Sequence, residues 1–519
     1  MKHIFKSLLI ITLFSGLSGC QKFLNVDPPS DLSGNNFWRN KADVERFVNG
    51  LYGLFREAVY RPDMTAGAGD GEFPFFAWGG DMRGAPVLAN SPSNRQYITQ
   101  LANNNMNTVV YGVATYSELF NARRFTQWNR FFKVIASANI AVDRIPTVPD
   151  GALSDADIKR YIAESVFIRN MAYFFMVRLW GDVPYYTEPY FNGRLARTKQ
   201  VEVLQKCLED LNAVYKNLPW TYSDPTQIAV RAMRGSGAVL LMHMNMWLAG
   251  FDAANAATYY NNVNTLATDI IQGNAGAYQL LPLSQTKVIF KGRSKEGLFE
   301  IPQNVNYGES FGWSAFSDNV LYAPYKNYQI TTSYLSYTRA FMEKLFPTGS
   351  PDQRITAWYD PATIYSAGNK FLMLKFANVY ANQNAEDVNP DDNQTVFRLP
   401  DIYLLQAEAL NKLNRAGEAQ AALNVVRGRA GLPAINNLTG DALDNEIFFE
   451  RCREFMGEGL YWYDVVRTRR IVDPTYEFGY KCTVSQFAAG AWTWPLDGSN
   501  GGDAVNNGNP LITLNTYWQ

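Results

Sequence analysis

Histidine is almost missing from this chain of 519 residues, in which only His3 and His243 occur. A metal centre built from several histidines is therefore excluded. His243 lies in the apolar, methionine-rich stretch 238–251, where we expect a buried, hydrogen-bonded side chain rather than a catalytic base. Walker-type phosphate loops and dinucleotide fingerprints are also missing, so we predict no catalytic residue, no metal and no cofactor.

Cysteine is scarce too, with four in the whole chain and no two of them closely spaced. A disulfide framework of the kind found in small secreted domains is therefore not expected. Cys207 falls among Leu204, Leu208 and Leu211 at helical spacing, so we predict that it packs in a core.

Long hydrophobic runs are absent after the first twenty residues, whereas a membrane-crossing helix needs about 18 consecutive apolar residues. The best stretch, 238–251, is shorter and contains His243 and Asn245, so we predict a buried helix there. Positive charge is not in excess either, because 47 lysine and arginine residues stand against 48 aspartate and glutamate residues. Nothing in this balance indicates a nucleic-acid partner.

The first nineteen residues have the form of a secretory signal. Two lysines precede a short apolar run at 8–14, and the tetrapeptide LSGC at 17–20 resembles a bacterial lipobox. We therefore predict a signal peptide over residues 1–19 and lipidation of Cys20. The mature protein is expected to be soluble apart from this anchor.

Helical periodicity is the dominant pattern in the rest of the chain. One apolar stripe begins after Asn40, which is placed to cap a helix, and another runs from a cap at Ser154 to a stop near Gly181. Residues 399–432 read as a helix, a turn at 414–417 and a second helix, which is typical of a tetratricopeptide unit. Such units bury a core only by stacking. We therefore predict a mostly α fold, a single large globule on tetratricopeptide-like helix pairs, with long loop-rich, aromatic insertions and few short strands.

Two regions have a different composition. Residues 61–112 are rich in glycine, asparagine and aromatic residues, and residues 283–400 mix tyrosine, tryptophan, asparagine, glycine and proline with short strand-like runs. Loops of this length are uncommon unless they serve a function or are disordered, and the aromatic content argues against disorder. We therefore expect both regions to be functional.

Glutamates recur at every fourth position near the C-terminal end. The positions are Glu446, Glu450, Glu454 and Glu458. This spacing places them on one face of a helix. General acid–base catalysis requires carboxylates in contrasting environments within a cleft, so we predict an exposed structural face, with Arg451 and Arg453 available to pair with it.

The same stretch carries a family signature. Its residues are Glu450, Arg451, Glu454, Glu458, Gly459, Trp462, Asp464 and Arg467. They resemble the pattern ER..E...EG..W.D..R of the SusD/RagB family of nutrient-uptake lipoproteins. Further segments resemble the family in the same order: the start at Cys20, the first helix, the GDVP segment after residue 180, the helix pair at 399–432 and the chain end. Departures at Tyr461, in the WPLD segment and in the methionine-rich helix concern the subfamily.

The resemblance implies a mostly α-helical protein on tetratricopeptide-like units, tethered by lipid to the outer face of a Gram-negative outer membrane. Residues 20–230 and 231–519 would form the N-terminal and C-terminal regions of one compact unit. Family members sit on a SusC-like, TonB-dependent barrel transporter and bind an oligosaccharide, or in some cases a peptide, before import. The expected function is therefore ligand capture at the cell surface, without catalysis.

The resemblance also implies ligand contacts from an early loop and a mid-chain loop. A sugar needs aromatic rings as platforms and a few fixed polar groups to orient it. The tryptophans are the leading candidates, because nearby glycines favour exposed turns. The predicted binding residues are Trp78, Asp81, Arg83, Asn306, Tyr307, Phe311 and Trp313.

Three other functions stay open at this point. The same architecture can capture a peptide, although peptide capture would also use charged pockets for the termini. A glycosidase would need two carboxylates about 5 to 10 Å apart in a cleft. A helical adaptor without any small ligand is favoured if both aromatic regions are buried.

Overall fold

The structure, a computed structural model, describes most of the chain after residue 36. The described residues are 37–60, 75–90, 95–111, 125–303, 316–325, 330–366, 368–379, 392–496 and 509–519. The helices are α1 (Lys41–Tyr60), α2 (Tyr97–Ala102), α3 (Met106–Tyr111), α4 (Asn129–Arg144), α5 (Asp155–Trp180), α6 (Gln200–Val214), α7 (Arg234–Phe251), α8 (Ala256–Gly273), α9 (Thr286–Lys291), α10 (Phe316–Val320), α11 (Arg339–Leu345), α12 (Arg354–Trp358), α13 (Leu399–Lys412), α14 (Ala416–Arg429), α15 (Gly440–Phe455), α16 (Tyr461–Arg467) and α17 (Val484–Ala488). The strands are β1 (Val87–Ala89), β2 (Gly297–Ile301), β3 (Leu335–Tyr337) and β4 (Gln394–Arg398), and a π-helical segment spans Ala77–Met82.

Several predictions from the sequence concern residues outside the described ranges. The signal segment and Cys20 lie outside the described residues, as do Asn306, Tyr307, Phe311 and Trp313. The expectations for these positions therefore stay predictions.

Local sequence signals set the ends of the long helices. The Asn40 carboxamide caps α1 by accepting hydrogen bonds from the Ala42 and Asp43 amides at 2.9 and 3.2 Å. Ser154 Oγ accepts a hydrogen bond from the Asp157 amide at 3.1 Å at the start of α5. That helix ends at Gly181, whose φ of +76° is a backbone conformation that glycine adopts without steric cost. These predicted helix ends are confirmed.

The long helices pack as successive neighbours. α4 contacts α1 and α5, α6 contacts α5 and α7, and α8 contacts α7 and α13. α13 in turn packs on α14 and α15. Most of these helices therefore bury one face against the preceding neighbour and another against the next, as stacked helix pairs do. The predicted mostly α architecture is confirmed.

The buried core of the described residues contains one large cluster that extends from Val44 to Leu496 and a smaller one among α13, α14 and α15. In α7, the buried side chains include His243, whose Nε2 lies 2.5 Å from Asp401 Oδ2. Burial lowers the pKa of His243, so its neutral ring donates this hydrogen bond to the carboxylate. Cys207 is also fully buried. The predictions that His243 and Cys207 are core residues are confirmed.

Two short antiparallel ladders complete the described fold. β2 pairs with β4, and Gly297 lies opposite Arg398. β1 pairs with β3, and Val87 lies opposite Tyr337. The second ladder joins the early aromatic region to the mid-chain aromatic region, because its strands lie about 250 residues apart in the chain.

The described ranges lack both a membrane-crossing helix and a metal-binding cluster. No helix there has both the length and the apolar character needed to cross a bilayer. The same ranges contain no group of three or more histidine, cysteine or carboxylate side chains placed to bind a metal ion. The division of the chain at residues 230 and 231 stays a prediction, and α6 and α7, on its two sides, contact each other.

Candidate functional site

Three of the predicted binding residues lie together in one buried segment. Trp78 and Asp81 belong to the π-helical segment and Arg83 follows it, and all three side chains are fully buried. The Trp78 ring stacks on the Tyr97 ring with centroids 4.4 Å apart. The prediction that this glycine-rich segment forms an exposed turn is therefore wrong.

The glycines of this segment serve close packing instead of exposure. A Cβ atom on Gly80 would overlap the carbonyl group of Gly459, and one on Gly459 would crowd Phe76, so this close approach requires glycine at both positions. Gly84, with a φ of +59°, lies directly against the ring of Trp462. The sequence shows the glycines but not the distant backbone that approaches them.

Asp81 ties the π-helical segment to the signature residues. Its Oδ2 accepts a hydrogen bond from the Gly459 amide at 2.6 Å. Burial raises the pKa of Asp81 well above its usual range. In this position Asp81 connects two elements and has no access to a ligand.

Arg83 performs a similar connecting role with the C-terminal part of the chain. Its Nη2 donates to the carbonyl oxygens of Thr493 and Ala491 at 2.9 and 3.2 Å, and its Nε donates to Asn104 Oδ1 at 2.9 Å. The guanidinium lies 4.4 Å from the ring centroid of Trp462. Burial lowers the pKa of Arg83 to about 9.

The glutamates of α15 and the turn after it are buried as well, apart from the partly exposed Glu446. Glu450 and Glu454 are fully buried and Glu458 is nearly so. The prediction of an exposed face is wrong, because cationic side chains from other elements cover it. Arg398 at the end of β4 pairs with both Glu454 and Glu458.

Glu454 is the centre of this ion-pair cluster. Arg429 and Arg398 contact its Oε1, and Arg354 Nη1 donates to its Oε2 at 3.0 Å. These guanidinium groups overcome the effect of burial and hold the pKa of Glu454 well below its usual range. Lys375 completes the cluster, donating to Glu458 Oε1 at 2.5 Å.

The two arginines that were predicted to pair with the glutamates behave differently from each other. Arg453 pairs with Glu446 and Glu450, as predicted. Arg451 pairs with Asp401 at 2.7 Å and Asp464 at 2.8 Å instead, so that part of the prediction is wrong. The signature residues described here form ion pairs inside the fold, and they present no carboxylate pair to a cleft.

A surface cleft of about 440 Å³ opens where the two aromatic regions meet. Its walls include Pro86 and Val87 at the start of β1, and Thr338 directly after β3. The Thr338 amide donates to the Pro86 carbonyl at 2.8 Å, which fixes the two regions against each other. We call this the β1–β3 cleft.

The aromatic wall of the β1–β3 cleft comes from Phe478 and Tyr480, both half-buried. Phe478 packs edge-on against Phe341 with centroids 5.2 Å apart. The Tyr480 amide donates to the Gly84 carbonyl at 2.8 Å, and burial raises the pKa of the Tyr480 phenol to about 12. These contacts hold two rings in fixed positions beside the cleft.

The described residues give the cleft few polar groups. Among these residues, the polar side chains in its walls are Asn103, Thr338 and Glu477, apart from the Tyr480 hydroxyl. Rings with a small number of fixed polar groups form a surface on which a sugar can stack and be oriented. Sequence reasoning missed Phe478 and Tyr480, although the alternation of aromatic residues around Gly479 was a visible signal.

Two family profiles match the chain. One, described as "SusD family", matches residues 353–494. The other, described as "Starch-binding associating with outer membrane", matches residues 81–235. The first range contains the Glu454 cluster, and the second contains Asp81 and Arg83.

Similarity to known proteins covers almost the whole chain. A solved SusD homologue from Bacteroides thetaiotaomicron is 37% identical, with a TM-score of 0.81, over 93% of this chain and 100% of that one. A solved laminarin-binding SusD-like protein is 22% identical, with a TM-score of 0.66, over 92% of this chain and 99% of that one. A SusD-like protein from Formosa agariphila is 25% identical over 511 residues, which is 91% of this chain and 92% of that protein.

Proposed function

Because this chain belongs to the SusD/RagB family, we propose that it is a cell-surface lipoprotein that binds an oligosaccharide and delivers it to a TonB-dependent outer-membrane transporter. The single observation that carries the proposal is the 37% identity to the Bacteroides thetaiotaomicron homologue over 93% of the chain. The description of the N-terminal profile names starch binding and association with the outer membrane. A relative of the same fold binds laminarin, which supports the same ligand class.

The β1–β3 cleft is the proposed place of binding. Phe478 and Tyr480 offer ring surfaces, and Asn103 and Thr338 offer hydrogen-bonding groups to sugar hydroxyls. The mid-chain residues around Trp313 follow β2 in sequence, and we keep them in the proposal as a second source of rings. Trp78, Asp81 and Arg83 are assigned to the scaffold, because they have no contact with the surface.

Peptide capture has less support from the described cleft. A peptide needs either a strand edge to pair with or charged pockets for its termini. Glu477 is the only charged side chain among the described residues of the cleft wall. The same fact disfavours a two-carboxylate glycosidase there, because such an enzyme needs a second acid.

Membrane attachment is proposed through lipid on Cys20. The two lysines, the apolar run and the LSGC box support this assignment. Replacing Cys20 by alanine in the full chain is expected to release the protein from the outer-membrane fraction. Retention of the Cys20→Ala variant in that fraction would count against the anchor.

The ligand is best identified with the soluble form, residues 21–519, on a glycan array, followed by calorimetry of each hit. We expect binding to one class of neutral glycan. Binding of peptides with no glycan hit would move the assignment to peptide capture. Turnover of a bound glycan would show an enzyme instead.

The site is tested by Tyr480→Ala and Trp313→Ala in the same soluble form. Each is expected to weaken binding by at least roughly tenfold, or about 1.4 kcal/mol, because a stacking surface is lost. Tyr260→Ala, a partly buried tyrosine on α8, serves as the matched control. Unchanged affinity in both site variants, with both folded, would rule out the proposed site.

A further inference from the structure

A second concave site lies on the helical side of the molecule. It is a groove of about 620 Å³ between α5, α6 and the loop that joins them. Tyr185, Arg169 and Asp210 each come from a different one of these three segments. We call it the α5–α6 groove, and none of its walls is shared with the β1–β3 cleft.

The floor of the groove is a fixed polar array. Arg169, which is 4% exposed, donates from Nη2 to Asp210 Oδ2 at 2.6 Å and from Nη1 to Asn139 Oδ1 at 2.9 Å. Asn170 Nδ2 donates to the same Asp210 oxygen at 3.2 Å. Within the described residues Asp210 Oδ1 receives no hydrogen bond, so it remains an acceptor for a ligand in the groove.

The wall of the groove is a tyrosine that other residues hold in position. The Tyr185 ring, half-buried, packs on the Tyr173 ring with centroids 4.8 Å apart. Tyr173 Oη donates to the Tyr186 carbonyl at 2.7 Å and accepts from the Tyr186 amide at 3.0 Å. Because the loop is fixed in this way, little ordering entropy would be lost when a ligand stacks there.

The described walls of the groove carry more negative than positive charge. Arg169 and Lys206 stand against Glu188, Glu209 and Asp210. Arg169 pairs with Asp210, and the exposed Lys206 pairs with Glu202 at 2.8 Å. The Lys206 ammonium also lies 5.2 Å from the centroid of the Tyr185 ring. An anionic ligand would meet the remaining carboxylates, whereas a neutral polyhydroxylated ligand can use carboxylate acceptors and ammonium donors together.

The loop carries one more ring outside the groove. Tyr190 is 55% exposed, and it is the only aromatic residue among the large apolar side chains exposed in the described ranges. Its φ of +57° is unusual for a bulky residue. Arg144 Nε donates to its hydroxyl at 3.2 Å, so the ring is fixed at the surface two residues beyond Glu188.

From these features we propose that the α5–α6 groove is a second carbohydrate-binding site that takes a neutral sugar unit, stacked on Tyr185 and hydrogen-bonded to Asp210 and Glu209. The proposal rests on the proposed glycan-binding function and adds a second point of contact for a long chain. Two separate sites would raise the affinity for a polysaccharide through multivalency without changing the affinity for one sugar unit.

The test uses residues 21–519 with the cleft disabled by Tyr480→Ala and Trp313→Ala. Calorimetry with maltohexaose, laminarihexaose and cellohexaose is expected to show residual binding to at least one of them. Adding Tyr185→Ala should weaken this residual binding about tenfold, equivalent to about 1.4 kcal/mol. Glu209→Gln should also weaken this residual binding, and because Glu209 is exposed the substitution does not threaten the fold. Tyr403→Ala, at a partly buried tyrosine on α13, is the matched control for Tyr185→Ala.

The outcomes separate the two proposals. Loss of all binding in the cleft-disabled protein, while the unmodified protein binds, would overturn the second site and leave the proposed function standing. Residual binding that is insensitive to both Tyr185→Ala and Glu209→Gln would also overturn it. An unmodified, folded protein that binds no glycan would remove both proposals together.

Discussion

Some signature residues are buried charges that contact several partners of opposite charge, and Glu454 is the clearest case. Three guanidinium groups, from Arg354, Arg398 and Arg429, contact its two oxygens in the absence of solvent. Each of these arginines comes from a different element of the fold. Removal of the carboxylate charge would leave them with one fewer partner in a medium where unpaired charge is costly.

Glu454→Gln is therefore expected to lower the free energy of unfolding by about 3–5 kcal/mol. Denaturant unfolding of the soluble protein measures the change. The control is Glu343→Gln, which breaks the exposed ion pair with Arg339 on α11 and should cost less than about 1 kcal/mol. Equal effects of the two substitutions would contradict the role given to the cluster.

Glu300 on β2 gives a prediction about how stability depends on pH. Its Oε2 accepts from Asn393 Nδ2 and from the Arg293 amide, both at 2.8 Å, and burial raises its pKa to about 7. Between its unfolded value of 4.5 and about 7, the folded state holds a proton that the unfolded state has released. Its stabilising contribution is therefore complete at low pH and is lost as the pH rises through 7.

Glu300→Gln removes this titration. Relative to the unmodified protein, the variant is expected to gain up to about 3 kcal/mol between pH 5 and pH 8, at about 1.4 kcal/mol per pKa unit. Urea unfolding of both proteins at the two pH values provides the comparison. A constant difference between them across this range would show that Glu300 does not titrate there.

At the scale of elements, the π-helical segment and the turn after α15 meet backbone to backbone. Gly80 lies against Gly459, and the Asp81 carboxyl group bonds the Gly459 amide. The two elements are far apart in the chain, so their contact fixes the N-terminal and C-terminal regions to each other. Side chains on either glycine would separate them.

Gly80→Ala is expected to lower the free energy of unfolding by several kcal/mol, because its Cβ would overlap backbone that cannot move aside. Gly50→Ala is the matched control, since Gly50 lies in α1 with nothing within 4 Å of the added atom. It should raise stability by about 0.5–1 kcal/mol through helix propensity. Thermal unfolding of both variants measures these changes in stability. An unchanged melting temperature for Gly80→Ala would contradict the close approach of Gly80 to Gly459.

Prediction from the sequence succeeded where the signal was local. The caps at Asn40 and Ser154 and the stop at Gly181 depend on neighbouring residues, and the structure has all three. The glutamate spacing correctly placed Glu446, Glu450 and Glu454 on one helix, but Glu458 lies in the turn after α15. The side chains that cover these glutamates come from elsewhere in the chain. For the same reason the glycines near Trp78 were misinterpreted, because the group that packs on Gly80 lies almost 380 residues away.

At the scale of the whole molecule, the last residues of the chain act as a strap across distant elements. Arg197 Nη1 donates to the Thr513 carbonyl at 2.7 Å, and the Tyr517 amide donates to the Ala489 carbonyl at 3.0 Å. Asn515 Nδ2 donates to Thr493 Oγ1 at 2.7 Å. The segment therefore fixes the position of residues 489–493, which in turn bind Arg83.

Deletion of residues 509–519 is expected to lower the free energy of unfolding by roughly 2–4 kcal/mol, from the loss of a few hydrogen bonds at about 0.5–1.5 kcal/mol each and some packing. Differential scanning calorimetry of the soluble protein measures it. Leu511→Ala, at a half-exposed position of the same segment, is the control and should change little. An unchanged melting temperature after the deletion would show that the strap contributes nothing.

The hydrogen bond between Arg83 and the carbonyl of Thr493 joins residues that are 410 positions apart in the chain, so the two partners are synthesised at different times. A ribosome adds about 5–20 residues per second, so roughly 20 to 80 s pass between the synthesis of the two partners. For that interval Arg83 has Asn104 as an acceptor but lacks the carbonyl groups of Ala491 and Thr493. A chain that ends before residue 491 therefore lacks both carbonyl acceptors of the Arg83 Nη2 group.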